Sequence, residues 1–419
     1  MKIALLSEKY TPDIGGLAIS TERLARLLSS AGHNVRLFAP TINLLPSEKR
    51  TLTSSGISIT RFGAHKRVDD TLVDWLELIV EEHKREPFDV IHAYFLTQAG
   101  FVATYAGKYL NIPSVVSVRG NDIERAAFDP PKFSHVMYAL QNADAVTTNA
   151  SELVNKAKAF VDREITLIPN GIDANHFKPM EKNLALAESL GITMPPWTKV
   201  HGYTNEASFG STQDKPSGLK DGLPSFVNQP DGSASGIPVI GFVGELREKK
   251  GLKTLLSAYA QVNKKQPITL LIVGEVRAGE DKQAFDDFRT SNPDSQIVVT
   301  GYVSHNDLPA YYSLIDVFVH PSLRDGMPNA VLEAMACGKS VVVTPVGGIV
   351  DMLKNCENGM IIPVNDVDAL TNAINTLLTD ESLRKKLGQS ARRTIVEKFT
   401  PEKELKANLE VYRKLGLKI

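Results

Sequence analysis

The stretch from His320 to Gly348, HPSLRDGMPNAVLEAMACGKSVVVTPVGG, decides the reading of the fold. Val317, Phe318 and Val319 end an apolar run just ahead of it and read as a buried strand. The polar turn Pro321 to Gly326 follows. Pro328 suits the first turn of a helix, where its missing N–H costs nothing. The helix Asn329–Cys337 is expected to stop at Gly338. A second buried strand, Ser340–Thr344, comes at once. In a strand–loop–helix–strand unit the loop beyond the strand's carboxyl end is where ligands bind.

Two carboxylates stand out in this unit. Glu333 is the only charge between Asn329 and Cys337, among Ala330, Val331, Leu332, Ala334, Met335 and Ala336. A carboxylate in so apolar a helix is costly unless something hydrogen-bonds to it. A pair of sugar hydroxyls would serve, because an ionised carboxylate is acceptor-only. The bland alternative is a charge that complements the first helical turn. Asp325 stands in the loop before the helix. There it and the free amides around Gly326 and Met327, with Asn329 beside them, can meet a ligand at the helix N-terminus.

These residues resemble the signature of the retaining glycosyltransferase family 4, of the two-domain GT-B type. That family shows Pro-Ser, a Glu, seven intervening residues, then Glu-Ala-Met-Ala-Cys-Gly. Pro321-Ser322 and Glu333-Ala334-Met335-Ala336-Cys337-Gly338 match, while Asp325 stands where the family has Glu. The resemblance implies ribose binding for Glu333 and a sugar contact for Asp325, whose reach is shorter by one methylene.

A chain of 419 residues is too long for one typical core, so two large domains are expected. Lys+Arg 47 against Asp+Glu 48 leaves a net charge of −1, which argues against nucleic acid as the main partner. Cys337 and Cys356 offer no disulfide framework and suit a reducing compartment. No apolar stretch reaches the roughly 20 residues of a spanning helix, and MKIALLSEKY reads as a first strand, not a signal peptide. A cytoplasmic protein is expected, at the inner face of the membrane if its acceptor is lipid-linked. No polybasic run signals that contact, and the oligomeric state is left open.

From the N-terminus, strands alternate with helices: Lys2–Ser7, a helix Leu17–Ala31, Val35–Ala39, Ile57–Phe62, a helix Thr71–Glu86, Val90–His92, a helix Leu96–Leu110, Val115–Val118, Ala145–Thr148 and Ile165–Ile168. Such alternation means a parallel sheet covered on both faces. From Thr193 to Gly236 the chain turns Gly-, Pro- and Ser-rich without a period and reads as an insertion that Trp197 and Phe209 could pin. Alternation resumes at Pro238. The expected divisions are a first Rossmann-like domain over 1–175, a connection over 176–237, a second Rossmann-like domain over 238–398, and a last helix over 399–419. The resemblance implies that this helix crosses back to the first domain. Arg392 and Arg393 read as solvated surface. Asn170-Gly171 is a turn signal, and Ile168–Asp173 with Phe177 matches the family's interdomain hinge.

Further candidates lie at strand ends. Gly15-Gly16 precedes a helix whose N–H groups can face an anion, and it stands where the family has its glycine loop beside the diphosphate. Gly244 to Gly251 places Arg247, Lys249 and Lys250 at a helix start, a suitable anion site. The family holds the diphosphate there with an Arg and a Lys. Lys250-Gly251 matches, Glu245 reverses the Arg, and Arg247 is expected to replace that cation. The resemblance adds donor contacts at Gly274 and near Val303. On the first domain His92, and Arg119, Asn121 and Asp122, end strands and are expected at the cleft on the acceptor side. Much of the family has His where this chain has Arg119. An arginine cannot act as a base, so it suits an anionic acceptor or phosphate. His320 reads as a buttress of the Pro321 turn.

No run with metal-ligand character stands out, and no cofactor is expected. Gly338-Lys339-Ser340 lacks the earlier glycine of a phosphate loop, and no Gly-x-Gly-x-x-Gly follows the first strand. The expected activity is metal-independent, retaining transfer of a sugar from a UDP-, GDP- or ADP-sugar to an acceptor hydroxyl, with Asp325, Arg247, Lys250, His92 and Arg119 nearest the chemistry. A nucleotide-sugar 2-epimerase and a non-catalytic sugar-nucleotide-binding protein are the alternatives.

Overall fold

The computed structural model describes residues 1–11, 13, 15–193 and 237–419. The insertion from residue 194 onward, with Trp197 and Phe209, lies outside the described residues. The β-branched runs form strands buried on both faces: every residue of Lys2–Ser7, Val90–Tyr94, Ser114–Val118, Val239–Val243 and Thr269–Val273 is buried. Helices on both sides of a parallel sheet produce this burial.

The first sheet contains β1 (Lys2–Ser7), β2 (Asn34–Pro46), β3 (Lys49–Ser54), β4 (Ile57–Gly63), β5 (Val90–Tyr94), β6 (Ser114–Val118), β7 (Ala145–Thr148) and β8 (Thr166–Leu167), in the order β3-β4-β2-β1-β5-β6-β7-β8. The second contains β9 (Val239–Val243), β10 (Thr269–Val273), β11 (Gln296–Val299), β12 (Val317–His320), β13 (Ser340–Val343) and β14 (Met360–Ile361), in the order β11-β10-β9-β12-β13-β14. All pairings are parallel except β3 with β4.

The chain reverses its direction of build at β9, whose neighbours are β10 and β12. At such a switch point the loops after neighbouring strands splay apart and leave a crevice. The loops concerned are those after β9, which carries Lys250, and after β12, which carries Asp325. In the first sheet the switch falls between β1 and β5, beside the loop that carries Gly15 and Gly16.

Several segments differ from the sequence reading. β2 runs on to Pro46, and β3 pairs antiparallel as an added edge. All of β3 is exposed, so it carries no apolar signature. The helices Pro130–Asn142 and Ser151–Lys158 were not anticipated. Arg392 is not a surface charge. Its guanidinium donates to the carbonyls of Phe177 (3.1 Å), Ala174 (3.2 Å) and Ala336, tying the end of the helix Asn329–Ala336 to the connection. A planar fork of donors suits such a cluster of free carbonyls. Arg393 is exposed.

The helix Pro401–Lys414 packs on the first sheet, where Val411 and Tyr412 join a core with Ile3, Leu5 and Val115. Its Glu404, 2 % exposed, binds Arg23 of the helix Gly16–Ser30 at 2.7 Å and accepts the Gly171 N–H at 2.8 Å. One carboxylate therefore joins the first sheet's cover, the hinge and the final helix. A Cβ on Gly171 would lie 2.6 Å from the Thr400 carbonyl oxygen, so this crossing admits only glycine.

Gly251 is held more tightly. Its φ is +79°, and a Cβ would lie 2.0 Å from the Pro321 carbonyl oxygen. Loops after β9 and β12 meet there backbone to backbone. Gly251→Ala is expected to destabilise the protein by about 2 kcal/mol or more, from strain and displaced backbone. Urea denaturation checks it, and an unchanged midpoint would show that the loops separate freely.

Candidate active site

The second sheet's crevice centres on Asp325. The loop after β12 turns back so that its carboxylate Oδ2 receives Lys250 Nζ and His320 Nε2, the latter at 3.0 Å. The side chains of Lys250 and Asp325 are 20 % and 15 % exposed, so the pair is mostly dry yet reachable. Burial alone would raise the Asp325 carboxyl, but Lys250 and His320 overcome it and hold it well below the usual carboxylate range. Asp325 is therefore a fixed anion.

His320 is more than a buttress. It is 1 % exposed and stacks nearly parallel to Phe242 and Phe318, with interplanar angles of 6° and 10°. Burial pushes its pKa down, so it is the neutral imidazole that donates through Nε2. A signal was available, since Phe318 and His320 fall on one face of β12 by the alternation of a strand.

Gly326 is buried, and Asp325 Oδ1 accepts its N–H at 3.1 Å. Gly347 seals the loop from behind, where a Cβ would lie 2.1 Å from the carbonyl oxygens of Asp325 and Gly326. Gly274 lies as close to Gly244, with 2.3 Å from a hypothetical Cβ to the Gly244 oxygen. Arg247, expected as a diphosphate cation, has Nη1 3.0 Å from Glu245, so the residue that reversed the family charge also engages its replacement. Val303 is half-buried against the second core. Gly15 and Gly16 are exposed at the start of the helix Gly16–Ser30.

Glu333 is 2 % exposed, and its oxygens are engaged within the protein. Tyr312 Oη donates to Oε2 at 2.8 Å, and His305 Nε2 lies 3.0 Å from Oε1. The hydroxyl expected from a sugar is thus partly provided by Tyr312. Neither partner is legible from local pattern, because both lie on other segments. His305 is 38 % exposed on its side chain and forms the solvent side of this contact. A carboxylate has about four acceptor sites, so a hydroxyl can still join.

The first domain closes over this loop. A Cβ on Gly326 would lie 2.5 Å from the Arg119 carbonyl oxygen. Lys249 Nζ donates to Asn121 Oδ1 at 2.8 Å. Asn170, read mainly as hinge, is a node of the site: its Nδ2 donates to Asn329 Oδ1 at 2.9 Å, and its Oδ1 accepts Arg119 Nη1 at 3.0 Å. Met327 lies beneath, 6 % exposed.

Two expected cleft residues lie elsewhere. Asp122 is 0 % exposed and accepts the N–H groups of Arg119, Gly120, Ile123 and Leu96 at 2.8 to 3.3 Å. Burial pushes its pKa up to about 6 against these amides. It shapes the Arg119–Asn121 loop, with both oxygens turned to backbone N–H groups. His92 is also 0 % exposed, between Tyr412 Oη at 2.7 Å and Ser117 Oγ at 3.0 Å. It fastens the final helix and lies outside the cleft. Among the described residues no group of three His, Cys, Asp or Glu side chains is placed to hold a metal ion, and no helix is long and apolar enough to cross a membrane.

Two parallel-sheet domains with charged loops facing at their switch points have the GT-B architecture. The chain belongs to the glycosyl transferases group 1, whose profile matches residues 228–394, and to Glycosyltransferase Family 4, matching residues 14–176. It is 25 % identical to an uncharacterized glycosyltransferase of Methanocaldococcus jannaschii, over 99 % of this chain and 98 % of that one. It is 24 % identical to a GDP-mannose-dependent alpha-mannosyltransferase of Mycolicibacterium smegmatis, over 96 % and 94 %. Among solved structures it superposes on sucrose-phosphate synthase from Thermosynechococcus elongatus with a TM-score of 0.76 at 22 % identity, covering 99 % and 98 % of the two chains. It superposes on Anabaena HepE in complex with UDP-glucose with a TM-score of 0.71 at 18 % identity, covering 99 % of each.

The placement of His92 is testable. Burial and the nearby Arg119 cation push its pKa from 6.5 down to about 3. The unfolded chain binds the proton more tightly, so this stabilising contribution is present above pH 6.5 and lost as pH falls towards 3. Thermal unfolding of the wild type should weaken over that window, by at most about 1.4 kcal/mol per pH unit, and His92→Gln should lack that component while keeping the pH profile of turnover. Turnover lost with an unchanged melting temperature would put His92 back in the reaction.

Proposed function

We propose that this glycosyltransferase moves a sugar from a nucleoside diphosphate donor to an acceptor hydroxyl with retained anomeric configuration. The observation that carries this reading is the contact of Lys250, Asp325 and His320 at the switch point of the second sheet. The donor's diphosphate takes the place of Asp325 as the partner of Lys250. The Asp325 carboxylate, still held by His320, then accepts a hydroxyl of the transferred sugar, and Glu333 accepts from the ribose. The Gly326 and Met327 amides and Asn329 complete the donor side, with Gly274 and Val303 towards the base and Gly15 and Gly16 across the cleft.

As the glycosidic bond breaks, positive charge grows on the sugar and negative charge on the leaving diphosphate. Lys250, with the share of Arg247 not taken by Glu245, stabilises the leaving group. The fixed Asp325 anion holds the sugar while it gains oxocarbenium character. The acceptor oxygen bonds the anomeric carbon on the face that the diphosphate leaves, and its proton passes to the departing phosphate oxygen, so these preorganised charges act with no side chain changing its protonation. The donor reading is supported by the relatives' names, which include a GDP-mannose-dependent enzyme and one that uses UDP-Gal. A lipid-linked acceptor would bring the protein to the cytoplasmic membrane face.

Calorimetry with UDP, GDP and ADP, followed by donor hydrolysis, tests this. Lys250→Ala should weaken the preferred nucleoside diphosphate by about 1.5–3 kcal/mol, the worth of a charge-assisted hydrogen bond. Asp325→Asn, which frees Lys250 from a competing anion, should keep or tighten nucleotide affinity but slow turnover roughly 100-fold. Normal affinity in the first variant or normal turnover in the second would remove that residue from the site.

A further inference from the structure

Arg119 directly follows β6, half-buried, with its guanidinium carbon 3.7 Å from the centre of the Tyr94 ring. Its Nη1 reaches the neutral Asn170 Oδ1, and its Nε is buried without a partner. Among the described residues no carboxylate lies within ion-pair distance of it. The acids nearby belong to other cations: Glu404 to Arg23 at 2.7 Å, Glu124 to Lys156 at 2.6 Å, and Asp325 to Lys250. Lys249 flanks the same loop and donates to the neutral Asn121. Stacking on Tyr94 offsets part of the desolvation of Arg119. A cation partly withdrawn from water, with one N–H buried and unpaired, is favoured by an anion that pairs with it.

A second observation sits opposite. Asn149 is 4 % exposed, and its Oδ1 is buried without a donor. It would lie 3.9 Å from a Cβ on Gly326, on the loop that carries Asp325. Arg119 Nη1 and Asn149 Nδ2 both donate to Asn170 Oδ1, at 3.0 and 3.5 Å, so an acceptor without a donor stands beside a cation without an anion, next to the loop that carries Asp325; the pair matches a ligand with a hydroxyl near a negative group.

We propose that this enzyme acts on a sugar bearing an anionic group, a carboxylate or a phosphate ester, which Arg119 pairs with while Asn149 accepts a neighbouring hydroxyl. The inference rests on the nucleotide-sugar reading above and specifies its substrate class. The anionic group belongs either to the transferred sugar or to the acceptor, and the fork of the guanidinium suits either.

Matched pairs separate the two sources. UDP-glucuronate is compared with UDP-glucose and GDP-mannuronate with GDP-mannose as donors, and glucose 6-phosphate with glucose as acceptors. The readout is the ratio of kcat/KM within each pair, for the wild type, Arg119→Gln and Arg119→Lys. The anionic member of a donor pair or of the acceptor pair should be favoured by about 10- to 100-fold, the worth of a charge-assisted pair. Arg119→Gln should bring that ratio close to one, and Arg119→Lys should recover part of it, with the change mainly in KM. A wild-type ratio at or below one in every pair, or a ratio that Arg119→Gln leaves unchanged, would overturn the inference and leave the donor reading standing. Absence of nucleoside diphosphate binding in the calorimetry would instead remove the reading on which it rests.

Discussion

The ion pair between Lys250 and Asp325 is the interaction on which the site depends. Two unit charges 4 Å apart attract by about 4 kcal/mol at the effective dielectric of a protein surface. Both side chains are mostly withdrawn from water, so removing either partner strands the other. A diphosphate is the kind of ligand that can break such a pair without stranding anything, because it replaces the anion seen by the lysine. The aspartate then keeps His320 and gains a hydroxyl. A resting site held shut by its own charges would thus open to a ligand that brings matching ones.

Backbone contacts hold this pair in register. Gly251 against Pro321, and Gly347 against Asp325 and Gly326, bring loops together at distances no side chain allows. The hinge is tied to the same place, since Asn170 joins Arg119 of the first domain to Asn329 of the second. Glu404 fixes the far side of the hinge to Arg23 and to the backbone of Gly171. Domain closure and site assembly therefore share residues. A change in Asn170 or Glu404 would be felt by the substrate without touching it.

Much of this was legible in the sequence because it depends on local pattern. The buried strands announce themselves by continuous β-branched runs, and the signature around Asp325 and Glu333 lies within one strand–loop–helix unit. What escaped depends on long-range contact. Tyr312 and His305 meet Glu333 from another segment, and Arg392 reaches carbonyls in the connection. His92 and Asp122 were misplaced because a polar residue at a strand end can face a cleft or be covered by a helix or loop. Only the packing of Tyr412 and the amides of the Arg119–Gly120 loop decides between these. The exposed strand β3 escaped because a solvated edge has no apolar periodicity.

The most direct test is a crystal structure with the nucleoside diphosphate that binds best. The account predicts phosphate oxygens within hydrogen-bond distance of Lys250, the Lys250–Asp325 contact opened, Asp325 still bonded to His320, and the ribose on Glu333. A diphosphate bound elsewhere, with the Lys250–Asp325 pair intact, would contradict it.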